Sequence, residues 1–209
     1  MVYLLVVVVI ILYLCYLFSW WRTQTAFPTN CTVIDILDSN QVKAGDLIFT
    51  TNRRKQWRYS WWQHVAIVFE DKDGRKQVAD LLRNGLHIVP IELYVRMDTH
   101  DTVYGIKSLR THLTEKQKTL LEQAVYSHMT TKFNQHYVAI YILRRILPAF
   151  MMDLWIKGEH CSSFIANCLI KIALLPPCDR HAINVMDLAN KILCNYYDSG
   201  PMKLYLSNK

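Results

Sequence analysis

One long apolar run at the start of the chain limits how this protein can fold. Residues 2–21, VYLLVVVVIILYLCYLFSWW, contain no charged residue, no glycine and no proline. As a helix, twenty residues span about 30 Å, which is the thickness of the hydrocarbon core of a bilayer. The run ends in two tryptophans, which favour the membrane interface, and Arg22 follows them. The run therefore predicts a transmembrane helix over residues 1–22.

A cleaved signal peptide is the alternative interpretation of this run. It would need a basic start, a shorter apolar core and small residues at a cleavage site, but the chain starts without Lys or Arg. We therefore expect an uncleaved single-pass anchor, a polar connector at residues 23–41 with a possible short helix, and one domain at residues 42–209. Arg22 favours a cytoplasmic domain, whereas the Asn-Cys-Thr sequon at residues 30–32 is typical of an exported segment.

Charge and cysteine content argue against several classes of protein. Lys and Arg outnumber Asp and Glu by 24 to 17, which favours contact with an anionic membrane surface. No RNP, zinc-finger or helix-turn-helix motif accompanies this charge, so we expect no nucleic-acid partner. The six cysteines form no CxxC motif, which argues against a zinc ribbon and a thioredoxin-like site. We expect neither a metal nor another cofactor.

The predicted domain begins with strands and ends with helices, which is typical of an α+β fold. Short β-prone runs, with a KDG turn that predicts a hairpin between the second and third, occur at residues 47–51, 64–71, 75–83, 85–95 and 101–109. A helix follows Leu113, where Thr114 and Gln117 have the spacing of a capping box. Further helices are predicted from Cys161 and over residues 184–194.

The helix that begins at Cys161 raises a chemical question. In GEHCSSFIANCL, residues 158–169, the cysteine precedes two serines that suit a helix start, and it shares an apolar face with Phe164 and Ile165. A thiol at a helix N-terminus lies near unpaired N–H groups and the positive end of the helix dipole, both of which favour the thiolate. Packing in the core is the other interpretation, and it suits Cys168 inside the same helix.

The predicted strands supply a base and a carboxylate. His64 begins the run HVAIVFE, and a histidine at a strand end, on a sheet face packed by a helix, is placed to meet that helix's N-terminus. Asp80 lies in QVADLL on the predicted partner strand, where its carboxylate would accept the Nδ1–H of His64 and stabilise the imidazolium. A structural histidine and an ordinary exposed aspartate are the alternatives.

Four motifs in this order resemble a known superfamily. KAGDLIFTT, HVAIVFED, KQVADL and EHCSSFIANCL are similar to the circularly permuted NlpC-type papain-like proteins, among them bacterial and poxviral permuted hydrolases and the lecithin retinol acyltransferase relatives. The resemblance covers residues 42–195 and implies a permuted papain-like α+β fold, with a small antiparallel sheet packed against helices. It also implies that Cys161 is the nucleophile and His64 the base. Asp80 stands where the superfamily has a polar residue, often His or Glu, and Glu70 is the fallback.

The resemblance implies a cysteine-dependent hydrolase or acyltransferase that forms a thioester acyl-enzyme. The anchor and the basic, aromatic segment RRKQWRYSWW favour a lipid ester or amide, or a lipidated substrate, at the bilayer. The candidate substrate-binding residues in that segment are Arg53, Arg54, Trp57, Trp61 and Trp62. A peptidase or amidase of the same fold, and an inactive membrane-anchored interaction module, are the alternatives.

Overall fold

The computed structural model describes residues 41–52, 62–94, 102–134, 158–190, 197 and 203–206, together with Tyr13, Val33 and Ile34. Within these residues no helix combines the length and the apolar character needed to cross a membrane. The predicted anchor, apart from Tyr13, and the basic segment at residues 53–61 lie outside the described residues. The anchor and the membrane location therefore stay predictions from the sequence.

Seven strands form one sheet. They are β1 (Val33–Ile34), β2 (Leu47–Asn52), β3 (His64–Glu70), β4 (Lys76–Leu82), β5 (Gly85–Pro90), β6 (Thr102–Lys107) and β7 (Lys203–Leu206). Their order across the sheet is β1-β7-β6-β2-β3-β4-β5. Neighbouring strands run antiparallel except for β1 and β7, which are parallel. The predicted combination of an antiparallel sheet with helices is confirmed.

Four described α-helices accompany the sheet: α1 (Ile91–Tyr94), α2 (Glu115–Tyr126), α3 (Cys161–Lys171) and α4 (Val185–Asn190). A 3-10 turn, Arg180–Ala182, precedes α4. The predicted capping box of α2 is confirmed, since the backbone N–H of Gln117 donates to Thr114 Oγ1 at 3.3 Å and the Thr114 N–H donates to Gln117 Oε1 at 3.1 Å. These two bonds satisfy backbone groups that the helix itself leaves unpaired.

Two predictions of secondary structure need correction. The β-prone run at residues 85–95 ends at Pro90, and helix α1 follows it. Proline lacks the N–H that a ladder needs, and its fixed φ suits the start of a helix, so this switch has a local cause. The connector, where a short helix was possible, instead contributes Val33–Ile34 to the sheet through pairing with β7. That pairing joins residues at opposite ends of the chain, which no local pattern reveals.

Two apolar clusters cover the two faces of the sheet. Alternate residues of β3 divide between them: Val65, Ile67 and Phe69 pack with α2 and α3, whereas Ala66 and Val68 pack with α1 and β6. All five side chains are fully buried. This interior strand is therefore apolar on both faces, and polar groups meet at its end, where His64 begins it.

A tight turn before β2 fixes the position of the sheet against the chain that follows β6. The carboxylate of Asp46 accepts hydrogen bonds from the backbone N–H groups of Lys43 and Leu109, both at 2.9 Å, and from the Ser108 hydroxyl at 3.3 Å. Gly45 adopts φ +91°, and a Cβ atom there would lie 2.3 Å from Leu109 Cδ1. The glycine is required both for its backbone conformation and for the space that Leu109 occupies.

Replacing this glycine provides a test of the packing at the turn. We expect Gly45→Ala to lower the free energy of unfolding by about 1–3 kcal/mol, because the added methyl group overpacks the core. Gly74→Ala is the matched control, since Gly74 also has a positive φ, +75°, but no atom lies within 4 Å of its added Cβ. Urea denaturation should show a clearly smaller loss for Gly74→Ala. Equal losses would contradict the packing argument.

Candidate active site

Cys161 is the first residue of α3 and is 6% exposed. The residue before it caps the helix: the backbone N–H of Ser163 donates to His160 Nδ1 at 3.2 Å, and the His160 N–H donates to Ser163 Oγ at 2.9 Å. The helix therefore begins with the cysteine in its first turn, as the sequence predicted. The cap itself was missed, because histidine is not among the residues that usually occupy this position.

The two residues before this cap are held against a neighbouring segment. The Asn134 N–H donates to the carbonyl oxygen of Glu159 at 2.7 Å, and the Glu159 N–H donates to the carbonyl oxygen of Lys132 at 3.0 Å. Gly158 has φ +87°, and a Cβ atom there would lie 2.3 Å from the same Lys132 oxygen. Only glycine fits so close to that backbone. The backbone just before Cys161 is therefore held in place by the segment that contains Lys132 and Asn134.

A buried ionic group lies below the start of α3. The carboxylate of Glu159 is 3.1 Å from Arg180 Nη2, 3.0 Å from the Ser163 hydroxyl and 3.7 Å from His128 Nε2. Burial opposes the ionisation of Glu159, but His128, Arg180 and Ser163 outweigh it and lower the pKa of this carboxyl. A negative charge next to a helix N-terminus stabilises the helix. Glu159 therefore helps to hold the helix that presents Cys161.

His64 and Asp80 meet because of the register between β3 and β4. Val68 lies opposite Val78, and by the alternation of side chains His64 and Asp80 extend from the same sheet face as this pair. Nε2 of His64 contacts Oδ1 of Asp80. The Cys161 side chain lies near enough to the His64 ring to raise the pKa of the imidazole. The structure therefore brings the three predicted residues into one group.

Two details of this group differ from the prediction. The sequence argument gave Nδ1 of His64 to Asp80, whereas the structure places Nε2 there. Helix α3 also packs on the opposite face of β3 from His64. The ring interacts with Cys161 nevertheless, since His64 is the first residue of its strand.

The second oxygen of Asp80 has its own partner. The hydroxyl of Tyr94, on α1, donates to Asp80 Oδ2 at 3.0 Å, and Asp80 is 5% exposed. One carboxylate oxygen is thus used by the histidine and the other by the tyrosine. Tyr94 was not predicted, because its segment was expected to be a strand. Glu70, the fallback carboxylate, lies at the other end of β3 and pairs with Lys118 at 2.8 Å.

The electrostatic surroundings of His64 favour a charged ring. Burial disfavours the imidazolium, but the negative charges of Cys161 and Asp80, together with the contact to Asp80, outweigh it and hold the pKa of His64 well above its ordinary value of 6.5. Cys168, on the same helix, shows the contrast, because burial raises the pKa of its thiol far above the usual range. Of these two cysteines, Cys161 is the one with an acid–base partner, and the arrangement suits a thiolate paired with an imidazolium.

The predicted substrate-binding residues have different outcomes. Trp62 is 1% exposed, and its ring packs against Phe49 with the centroids 5.8 Å apart. It is therefore a core side chain rather than a surface presented to a substrate. Outside the described residues lie Arg53, Arg54, Trp57 and Trp61. Within the described ranges, no three His, Cys, Asp or Glu side chains are placed to hold a metal ion.

Comparison with protein families identifies the chain. A family model described as the permuted papain-like amidase enzymes YaeF/YiiX, C92 family, matches residues 41–187. The chain belongs to this family. His64, Asp80 and Cys161 all lie within the matched residues. Membership confirms the resemblance to the permuted papain-like superfamily and supports an amidase, which is a cysteine hydrolase.

Other comparisons add little to the family match. Among solved structures, the chain is similar to the metalloprotein YiiX from Escherichia coli O157:H7, with 14% identity and a TM-score of 0.45 over 63% of this chain and 67% of that one. Similarity at this level supports no conclusion about metal or activity. No curated protein matches the chain.

The carboxylate of Asp80 should control the reactivity of the thiol. Asp80→Asn removes a negative charge beside His64 and lowers the pKa of the ring, so fewer molecules carry the thiolate–imidazolium pair at neutral pH. We expect iodoacetamide to alkylate Cys161 more slowly in this variant at neutral pH, measured by mass spectrometry of the modified peptide. Asp73→Asn is the control, since it removes an exposed carboxylate that pairs with Arg75. Identical pH profiles for Asp80→Asn and wild type would contradict the assignment.

Proposed function

We propose that the protein is a cysteine-dependent amidase that cleaves its substrate through a thioester acyl-enzyme. One observation carries the proposal: the Cys161 side chain, at the start of a helix, interacts with the ring of His64, whose Nε2 contacts Asp80. This is the arrangement of nucleophile, base and orienting carboxylate that thiol acyl transfer requires. Membership of a family of permuted papain-like amidases supports the same reaction class.

The first half of the reaction forms the acyl-enzyme. The thiolate of Cys161 attacks the substrate carbonyl carbon, a C–S bond forms, and the carbonyl oxygen becomes an oxyanion. The backbone N–H of Cys161 lies at the helix start, where no carbonyl within the helix pairs with it, and it donates to this oxyanion. In known enzymes one such donor contributes about 2.7–4 kcal/mol. The imidazolium of His64 then gives its Nδ1 proton to the departing amine as the C–N bond breaks.

The second half restores the enzyme. Neutral His64 removes a proton from water, and the resulting hydroxide attacks the thioester carbon. The C–S bond breaks, the acid is released, and the thiolate–imidazolium pair forms again. Asp80 orients the ring and stabilises its positive charge throughout, while Tyr94 holds Asp80 in place. If an alcohol or amine replaces water, the same steps give an acyltransferase.

The substrate class is proposed from the sequence outside the described residues. The apolar run at residues 2–21 would hold the enzyme at a bilayer, and the basic segment at residues 53–61, which contains Trp57 and Trp61, suits lipid headgroups. Both features support a lipid amide or ester, or a lipidated substrate, over a soluble peptide. The proposed amidase chemistry depends neither on membrane attachment nor on a preference for lipid.

Mutation of the nucleophile and of the base tests the proposal. The full chain in anionic vesicles should hydrolyse a long-chain N-acyl amide, and mass spectrometry should find the acyl group on Cys161. We expect Cys161→Ala to abolish both, and His64→Ala to lower kcat by about 10²–10⁴-fold. Cys178→Ala, which removes an exposed thiol, should leave activity unchanged.

The same assay distinguishes the competing functions. Higher kcat/KM for a soluble peptide amide than for the lipid amide would reject the lipid preference but keep the amidase. Hydrolysis that survives in Cys161→Ala, or an acyl group found only on Cys178, would reject the proposed chemistry. If neither wild type nor Cys161→Ala hydrolyses any amide or ester, the inactive interaction module is supported.

A further inference from the structure

One buried hydroxyl group close to His64 has no hydrogen-bond partner in the described part of the chain. It is Oγ1 of Thr51 on strand β2, and Thr51 is only 2% exposed. By contrast, the Thr119 hydroxyl on the surface donates to the carbonyl oxygen of Glu115 at 3.0 Å. Buried polar groups of folded proteins nearly always have partners, so the unpaired hydroxyl of Thr51 calls for an explanation.

Strand register and the alternation of side chains place this hydroxyl at the active site. Thr50 lies opposite His64 where β2 pairs with β3, and Thr51 is the next residue along β2. Because side chains alternate along a strand, Thr51 extends from the same sheet face as Phe49. Phe49 belongs to the same apolar cluster as Cys161. Thr51 therefore lies on the face that α3 covers, at the end of the sheet where the imidazole interacts with the thiol.

We infer that the hydroxyl of Thr51 selects amides over esters, by accepting a hydrogen bond from the N–H of the amide bond that the enzyme cleaves. This inference rests on the proposed function and specifies which kind of acyl bond the site prefers. An amide presents an N–H to the hydroxyl oxygen, whereas an ester has at that position an oxygen atom with no hydrogen to donate. Thr51 is therefore a specificity-determining residue for the class of substrate.

The unpaired state of this hydroxyl favours the amide. Thr51 is buried in the folded chain, so its hydroxyl has no water to lose when a substrate arrives. An amide therefore gains the hydrogen bond without a matching loss, and the bond is stronger in an apolar site than in water. An ester leaves the hydroxyl as unpaired as it is in the free enzyme.

The contact becomes stronger as the amide is cleaved. When the Cys161 thiolate adds to the carbonyl carbon, the amide nitrogen loses its conjugation with the carbonyl group. The imidazolium of His64 then transfers a proton to this nitrogen, which becomes positively charged before the C–N bond breaks and the amine leaves. Hydrogen bonds from charged donors are roughly twice as strong as those from neutral ones. An interaction that strengthens in the transition state accelerates the reaction.

Two substrates that give the same acyl-enzyme test this role in the full chain. N-butyl octanamide and butyl octanoate differ only in the N–H or oxygen that joins their two halves. We expect Thr51→Val to lower kcat/KM for the amide by about 10–100-fold, the effect of losing a hydrogen bond from a charged donor, and to leave kcat/KM for the ester unchanged. Thr51→Ser keeps the hydroxyl and is the matched control, so it should keep the preference for the amide. The melting temperature of Thr51→Val should stay the same or rise, since the variant removes a buried unpaired hydroxyl.

Several results would overturn the role of Thr51 and leave the proposed function standing, provided that hydrolysis still requires Cys161. They are equal losses for amide and ester in Thr51→Val, no loss for either, the same loss of amide preference in Thr51→Ser, or a large fall in melting temperature.

Binding tests the contact without turnover. Calorimetry in the Cys161→Ala background should show that Thr51→Val weakens the Kd for the amide by roughly 2–10-fold and leaves that for the ester unchanged. Equal Kd values for the amide with and without the Thr51 hydroxyl would overturn the contact. A loss confined to the amide, in a protein whose wild type hydrolyses neither compound, would reject the proposed function and keep the contact.

Discussion

The imidazole ring of His64 is the point on which the proposed chemistry of the site depends. It interacts with a thiol from a helix and contacts a carboxylate from a neighbouring strand. Neither partner is close to it in sequence. A shift of β4 by one residue would turn Asp80 to the opposite face, and a helix that began one turn later would not present Cys161 in its first turn. Strand register and helix capping together therefore make the site.

The rest of the described fold fixes these two features. Asp46 ties the start of β2 to the chain after β6, and β2 pairs directly with the strand that carries His64. On the helix side, His160 caps α3, while the charged Glu159 connects its start to Arg180. The site is thus built on a strand end and a helix start, both supported by buried polar contacts.

Much of this could be predicted from the sequence, because the signals are local. Alternation and turn residues predict the strands from Leu47 to Leu82, and the spacing of Thr114 and Gln117 predicts the start of α2. The resemblance of four motifs to the permuted papain-like proteins supplied the pairing of Cys161 with His64, which spacing alone does not give. The family match confirms that superfamily.

The features that were missed depend on contacts between distant residues. Which nitrogen of His64 faces Asp80 follows from the placement of the two strands and the helix. The partners of Glu159 come from residues 128 and 180, and β1 pairs with a strand near the other end of the chain. Tyr94 was missed for a different reason, because Pro90 ends a strand in a run that otherwise favours β structure.

The titration of His64 tests the central claim most directly. NMR of the imidazole ring, recorded across a pH series, should give wild-type His64 a pKa well above 6.5, since the negative charges of Cys161 and Asp80 stabilise the imidazolium. In Cys161→Ala one of those charges is gone, and the pKa of His64 should fall. The same titration curve in wild type and Cys161→Ala would show that the thiol and the imidazole do not interact, and the proposed chemistry would be contradicted.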